Sequence, residues 1–196
     1  MKYSLRILLL FIVGVSFAYV THFLQNNNGG LFNRGFNIFG LFGPSVWIPV
    51  FCGITAVFIG CLYPCIDIKL GQIKFYNQEW ASVLRCMALF LGINHVPDKL
   101  DFTSDSQLQL SLFAMCIGLW WLFDQSFTGL GLTSITTFLA TMSYRLLEYI
   151  GLYRLSHPAM NSWLPFVFFS GTVTIGIVGR QLAKSDILEI VKLKNQ

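Results

Sequence analysis

QLQLSLFAMCIGLWWLFDQSFTGLGL, residues 107–132, is the stretch on which the reading of the whole chain turns. Its first seventeen residues, Gln107 to Phe123, carry no charge. At about 1.5 Å per residue, a helix of that length crosses most of a hydrocarbon core about 30 Å thick. Trp120 and Trp121 close the run, where amphipathic rings favour the membrane–water boundary. Asp124 comes next with no Lys or Arg close in sequence, and Gly129 and Gly131 loosen the backbone before the following apolar run. The pattern predicts a hairpin between two membrane spans with one carboxylate at its tip. Beside the bilayer that carboxylate keeps its charge at modest cost by reaching water, so it need not be part of the fold's internal bonding. It is either an ordinary loop residue or the point at which a partner is held.

The surroundings of this stretch are equally apolar. Of the 196 residues, 55% are hydrophobic, 16% aromatic and only 11% charged, and the mean hydropathy is +0.63. A soluble domain carries about 25% charged residues, so the chain reads as a polytopic membrane protein with too little polar sequence for a separate soluble domain. Its net charge of +4 therefore has meaning through loop placement, and implies no affinity for nucleic acid. Cys52, Cys61, Cys65, Cys86 and Cys116 lie in or beside apolar runs without a CxxC pair, which indicates neither a disulfide framework nor a metal site.

Apolar runs place the spans. The first, 5–24, follows Lys2 and Arg6; Ser16-Phe17-Ala18 would also serve as a signal cleavage site, but apolar character continues to Leu24, so a retained span is expected. Residues 25–43 form an Asn- and Gly-rich loop. The second span is 44–65, with Pro44 and Pro49 in its first turns and Pro64 at its exit, leaving Asp67 in a polar loop up to Glu79. The third, 80–96, holds Arg85 one turn inside and ends in Asn94 and His95. After an acidic loop come spans at 107–123 and 127–147, the latter rich in Gly and Thr and expected to face protein more than lipid. The sixth, 162–179, carries Gly171, Gly176 and Gly179 for close helix approach and is followed by a basic tail. The expected fold is an all-α membrane protein, a single domain made as a compact bundle of six transmembrane helices.

Six spans place both termini on one side. With cytosolic termini, nine of the 13 basic residues fall on the cytosolic side and four opposite, which satisfies the positive-inside bias. The chain ends KLKNQ, so Lys192 and Lys194 match the KxKxx form of a cytosolic retrieval signal for the endoplasmic reticulum.

Catalytic patterns are missing. There is no HExxH, GxSxG or P-loop, and no paired intramembrane carboxylates; the expectation is a protein without enzyme activity, cofactor or metal. The deeper polar residues, Thr55, Ser111, Thr136, Thr137, Thr141, Ser170, Thr172 and Thr174, are each able to return a hydroxyl to their own helix. Arg145 and Glu148 neutralise one another at a spacing of three. Ala114 and Gly118 form a small-xxx-small pair in the fourth span. What remains is a binder of apolar molecules or of other membrane helices; the alternative is a small membrane carrier or transporter whose fifth and sixth helices line a path.

Several segments together resemble one family, the insulin-induced gene (Insig) proteins of the endoplasmic reticulum. They are LYPCID (62–67), EWASVLRC (79–86), LGINH (91–95), QLQLSLFAMCIGLWWLFD (107–124), TGLGL (128–132), SWLP (162–165) and GRQLA (179–183), in family order. The resemblance implies six helices with cytosolic termini and an oxysterol-responsive retention factor without catalytic activity. It implies binding to the sterol-sensing domain of Scap, and to HMG-CoA reductase with ubiquitin ligase machinery that leads to its degradation. The family's partner-binding Asp falls on Asp124, and family residues that influence oxysterol binding fall on Phe90 and Gln107. A side-chain-hydroxylated sterol is expected against the third and fourth spans, whose faces end in the amides of Asn94 and Gln107. Gln125 stands where the family carries a basic residue, and Lys2 is the one lysine ahead of the first span; these departures bear on which partner is served.

Overall fold

In hydrocarbon every backbone N–H and C=O needs a partner within its own segment, so apolar runs of about twenty residues become helices. The computed structural model of the chain describes residues 3–25, 47–70, 79–99, 104–149 and 160–194. Among the described residues there are six helices and no strand: α1 (Tyr3–Gln25), α2 (Trp47–Lys69), α3 (Trp80–Lys99), α4 (Asp105–Phe123), α5 (Phe127–Tyr149) and α6 (Met160–Lys194). Four of them, α1, α2, α4 and α6, are long and apolar enough to cross a membrane, and the chain is a membrane protein.

Two boundaries differ from the sequence reading in ways that change the chemistry. Helix α2 runs through Pro64 to Lys69, so Asp67 is helical and does not lie in the polar loop. Helix α6 continues fifteen residues past position 179, so the basic tail is helix as far as Lys194. The described residues group into two compact units. One joins α1 and α2 to α6 from Val178 onward; the other holds α3, α4, α5 and α6 up to Ile177.

The first unit is built on Gly60. Pro64 has no N–H, so the Gly60 carbonyl loses the donor that a helix supplies four residues on. Arg6 of α1 replaces it, giving a hydrogen bond from Nη2 at 3.1 Å. Leu10, one turn along α1, covers Gly60 on the same side, and Gly179 of α6 approaches from another: a Cβ on Gly179 would collide with the Gly60 carbonyl oxygen and lie 2.6 Å from its Cα. Only glycine permits that crossing. Beside it, Arg180 Nε donates to Asp67 Oδ2 at 2.7 Å and Nη2 to Oδ1 at 3.2 Å. The guanidinium carbon also stands 4.9 Å from the centroid of the Tyr63 ring. Arg180 is 2% and Asp67 1% exposed. This two-pronged pair is what lets two ions sit inside an apolar unit.

In the second unit Cys86, Phe90 and Asn94 recur every four residues along α3 and are buried. Cys86 Sγ lies 3.6 Å from Thr174 Oγ1 of α6, and the Phe90 ring faces Gly171. Cys116 of α4 donates to the Phe166 carbonyl of α6 at 3.4 Å. Three sequence expectations change here. Ala114 is exposed and a Cβ on Gly118 would meet nothing within 4 Å, so that pair makes no helix contact among the described residues. Helix α5 leaves Ile135, Phe138, Leu139, Met142 and Leu146 exposed. Its hydroxyls explain why: Thr136 and Thr141 bond carbonyls of their own helix at 2.8–2.9 Å and need no facing protein. Thr137 departs from that pattern, its hydroxyl being buried without a partner. Arg145 and Glu148 pair as expected, at 3.9 Å on the surface.

Candidate functional site: the corner between the fourth and fifth helices

Helix α4 ends in a compact corner. The N–H groups of Asp124 and Gln125 both donate to the Trp120 carbonyl, at 2.9 and 3.0 Å. Gln125 takes a positive φ of 53°, a left-handed conformation that costs a side-chain-bearing residue roughly 1–2 kcal/mol. The turn that results brings Ser126 to the start of α5, where its hydroxyl and its carbonyl are each bonded twice. Its hydroxyl accepts from the Gly129 N–H at 3.1 Å and donates to Asp124 Oδ1 at 2.7 Å. Its carbonyl accepts from the Leu130 N–H at 2.9 Å and from Trp120 Nε1 at 3.1 Å. Ser126 is thus the N-cap of α5 and the link between its first turn and the carboxylate. Gly129 is required there, because a Cβ would run into the Asp124 carboxylate and the Ser126 hydroxyl.

Asp124 is 1% exposed. The sequence reading put it in reach of water with no need of internal bonds; the structure buries it and bonds it to Ser126. The physical reason is Ser126, whose hydroxyl supplies a donor. The N-terminal end of α5, the positive end of its dipole, favours negative charge at the same point. Trp120 turns inward as part of this arrangement and is buried, while Trp121 stays on the surface at a ring separation of 6.0 Å. The carboxylate is enclosed but its rim is not: Trp121 and Leu122 are each 64% exposed and Phe127 is 82% exposed. Gln125 is exposed between them. The corner is a rigid apolar prominence with a carboxylate fixing its shape from beneath.

The remaining predicted residues do not converge on it. Phe90 is buried in the middle of α3. Gln107 is exposed in the first turn of α4, where its N–H meets the Ser104 hydroxyl at 3.4 Å. Asn94 is buried, its Nδ2 donating to the Phe90 carbonyl at 2.8 Å while Oδ1 has no partner. The backbone at Lys192 and Lys194 forms the last turn of α6. Thr103 and Lys74, which flank the loops that report topology, lie outside the described residues. Sequence reasoning missed Ser126 and Gly129, although a serine directly before an apolar run is a readable cap signal. It also missed the pairing of Asp67 with Arg180, for which the only hint was a basic residue following a glycine-rich apolar run.

The model of the family described as Insulin-induced protein (INSIG) matches residues 5–183. Among curated relatives, the Insulin-induced gene 1 protein of Danio rerio is 49% identical over 189 residues, which is 94% of this chain and 75% of that protein. The protein of the same name from Xenopus laevis is 48% identical, with 91% of this chain and 72% of the relative covered. That of Homo sapiens is 48% identical over 91% of this chain and 65% of its own length.

Proposed function

The chain belongs to the insulin-induced protein family, and from that premise we propose that it is a sterol-regulated retention factor of the endoplasmic reticulum membrane. In this reading six helices span the bilayer with both termini cytosolic. The protein binds an oxysterol, holds Scap back, and promotes degradation of HMG-CoA reductase through ubiquitin ligase machinery, without catalysis of its own. It gives feedback control of sterol synthesis. Family membership supports the reading as a whole. The observation that carries it to particular residues is the α4–α5 corner, where exposed Trp121, Leu122 and Phe127 surround an enclosed Asp124.

Burial assigns Asp124 a definite part. A carboxylate that is 1% exposed holds the prominence in shape, and the apolar rim meets the partner's membrane helices. Asp124 is then a positioning residue for partner binding. A second reading has the corner open on association, so that the carboxylate itself accepts the partner's hydrogen bonds.

Co-purification of the sterol-sensing partners with Asp124→Asn, Asp124→Ala and Phe127→Ala, read beside thermal stability of the same preparations, separates these. Asn keeps an acceptor for Ser126 and removes the charge. Under the positioning reading Asp124→Asn keeps most partner recovery, Asp124→Ala loses recovery and stability together, and Phe127→Ala loses recovery alone. Loss of recovery in Asp124→Asn at unchanged stability favours direct contact. Full recovery in all three removes the corner from partner binding.

A further inference from the structure

Among its described residues the first unit contains two buried arginines and one buried carboxylate, Arg6, Arg180 and Asp67. Both oxygens of Asp67 take hydrogen bonds from Arg180. Arg6, only 7% exposed, donates to the neutral Gly60 carbonyl, its one hydrogen bond among the described residues; its Nε is buried without an acceptor. No carboxylate lies against it among the described residues. That bond explains why an arginine is there, since it replaces the donor missing at Pro64. Among the described residues no negative charge matches that of Arg6, and an uncompensated ion in an apolar environment costs several kcal/mol.

We propose that an anion completes this site: the phosphate of an anionic phospholipid, held by the Arg6 guanidinium at the end of the unit where α1 begins and α2 finishes. A planar guanidinium whose Nε lacks an acceptor matches the paired oxygens of a phosphate. Lys69, exposed in the last turn of α2, adds positive potential at this end. The source is a lipid and not a soluble phosphate, because the ends of both helices are apolar at their surface: Leu5 in the first turn of α1 and Ile68 in the last turn of α2 are exposed, as suits acyl chains and not a hydrated ion. Basic sites between membrane helices hold lipid headgroups on the same principle.

The test is native mass spectrometry of the full chain in neutral detergent, titrated with dioleoylphosphatidylglycerol, dioleoylphosphatidylcholine or inorganic phosphate. The wild type is expected to retain one phosphatidylglycerol with about tenfold preference over phosphatidylcholine, and Arg6→Met to lose that preference. Inorganic phosphate should not displace the lipid at equal concentration. Should Arg6→Met fail to fold, Arg6→Lys decides: a point charge replaces the fork, and the preference should fall at least about threefold. Equal retention of the two lipids by the wild type, displacement by inorganic phosphate, or an unchanged preference in the Arg6 variants would overturn the proposal.

Discussion

Replacing Asp67 with alanine tests whether α2 and α6 are joined by charge. The substitution removes two acceptors of the Arg180 guanidinium, now at 2.7 and 3.2 Å, and leaves a cation 2% exposed. Breaking a buried pair by deleting one partner costs about 3–5 kcal/mol. The Tyr63 ring, 4.9 Å from the guanidinium, still holds the cation by about 0.5–2 kcal/mol, so the lower part of that range applies and about 3 kcal/mol is expected. For a chain of this size each kcal/mol moves the melting temperature by about 2–4 °C, and Asp67→Ala should melt about 6–12 °C below the wild type. Removing both charges is different, because well-packed apolar replacements of a buried pair are often neutral. The double variant Asp67→Leu/Arg180→Met should recover most of the loss. Size-exclusion chromatography of heated, detergent-solubilised protein, followed by tryptophan fluorescence, measures all three. A single variant that melts with the wild type, or a double variant no better than the single, would refute the assignment of this pair as the joint.

Four further outcomes follow from the geometry. Ser126→Ala deletes both the cap of α5 and the donor to Asp124 and should lower stability by about 1–2 kcal/mol in the same melting assay, whereas Ser134→Ala, whose hydroxyl only returns to Leu130, should be silent. Gly179→Val forces α6 away from Gly60 and should reduce folded yield severely; normal yield would mean the crossing is looser than described. A glycosylation sequon with a spacer near Thr103 should be modified and one near Lys74 should not, and the reverse pattern would invert the proposed orientation. A photoreactive sterol should label α3 and α4, and labelling confined to α1 or α6 would count against the proposed ligand surface.

The helices were legible because hydrophobicity over about twenty residues leaves the backbone no alternative to a helix. Their ends were not. Pro64 reads as a stop because proline removes a hydrogen bond, yet the helix continues, since Arg6, 54 residues away in sequence, restores that bond. The same kind of distant compensation hid Asp67, which Arg180 makes tolerable inside a helix. Asp124 stood out correctly as an isolated carboxylate. Its burial was invisible because it depends on a turn at Gln125 that swings Ser126 under it. Composition likewise misjudged α5: Gly and Thr suggest a protein-facing helix, but threonines satisfied by their own carbonyls are compatible with lipid.

The Gly60 carbonyl also bears on how the first two helices stand in the bilayer. A second helix released into the bilayer alone would bring an unbonded carbonyl into hydrocarbon, at a cost of several kcal/mol. With the first helix alongside, Arg6 meets that carbonyl, and the arginine in turn gains an acceptor it would otherwise lack in lipid. Each segment carries the defect that the other repairs, so the two are more stable in the bilayer as a hairpin than either is alone.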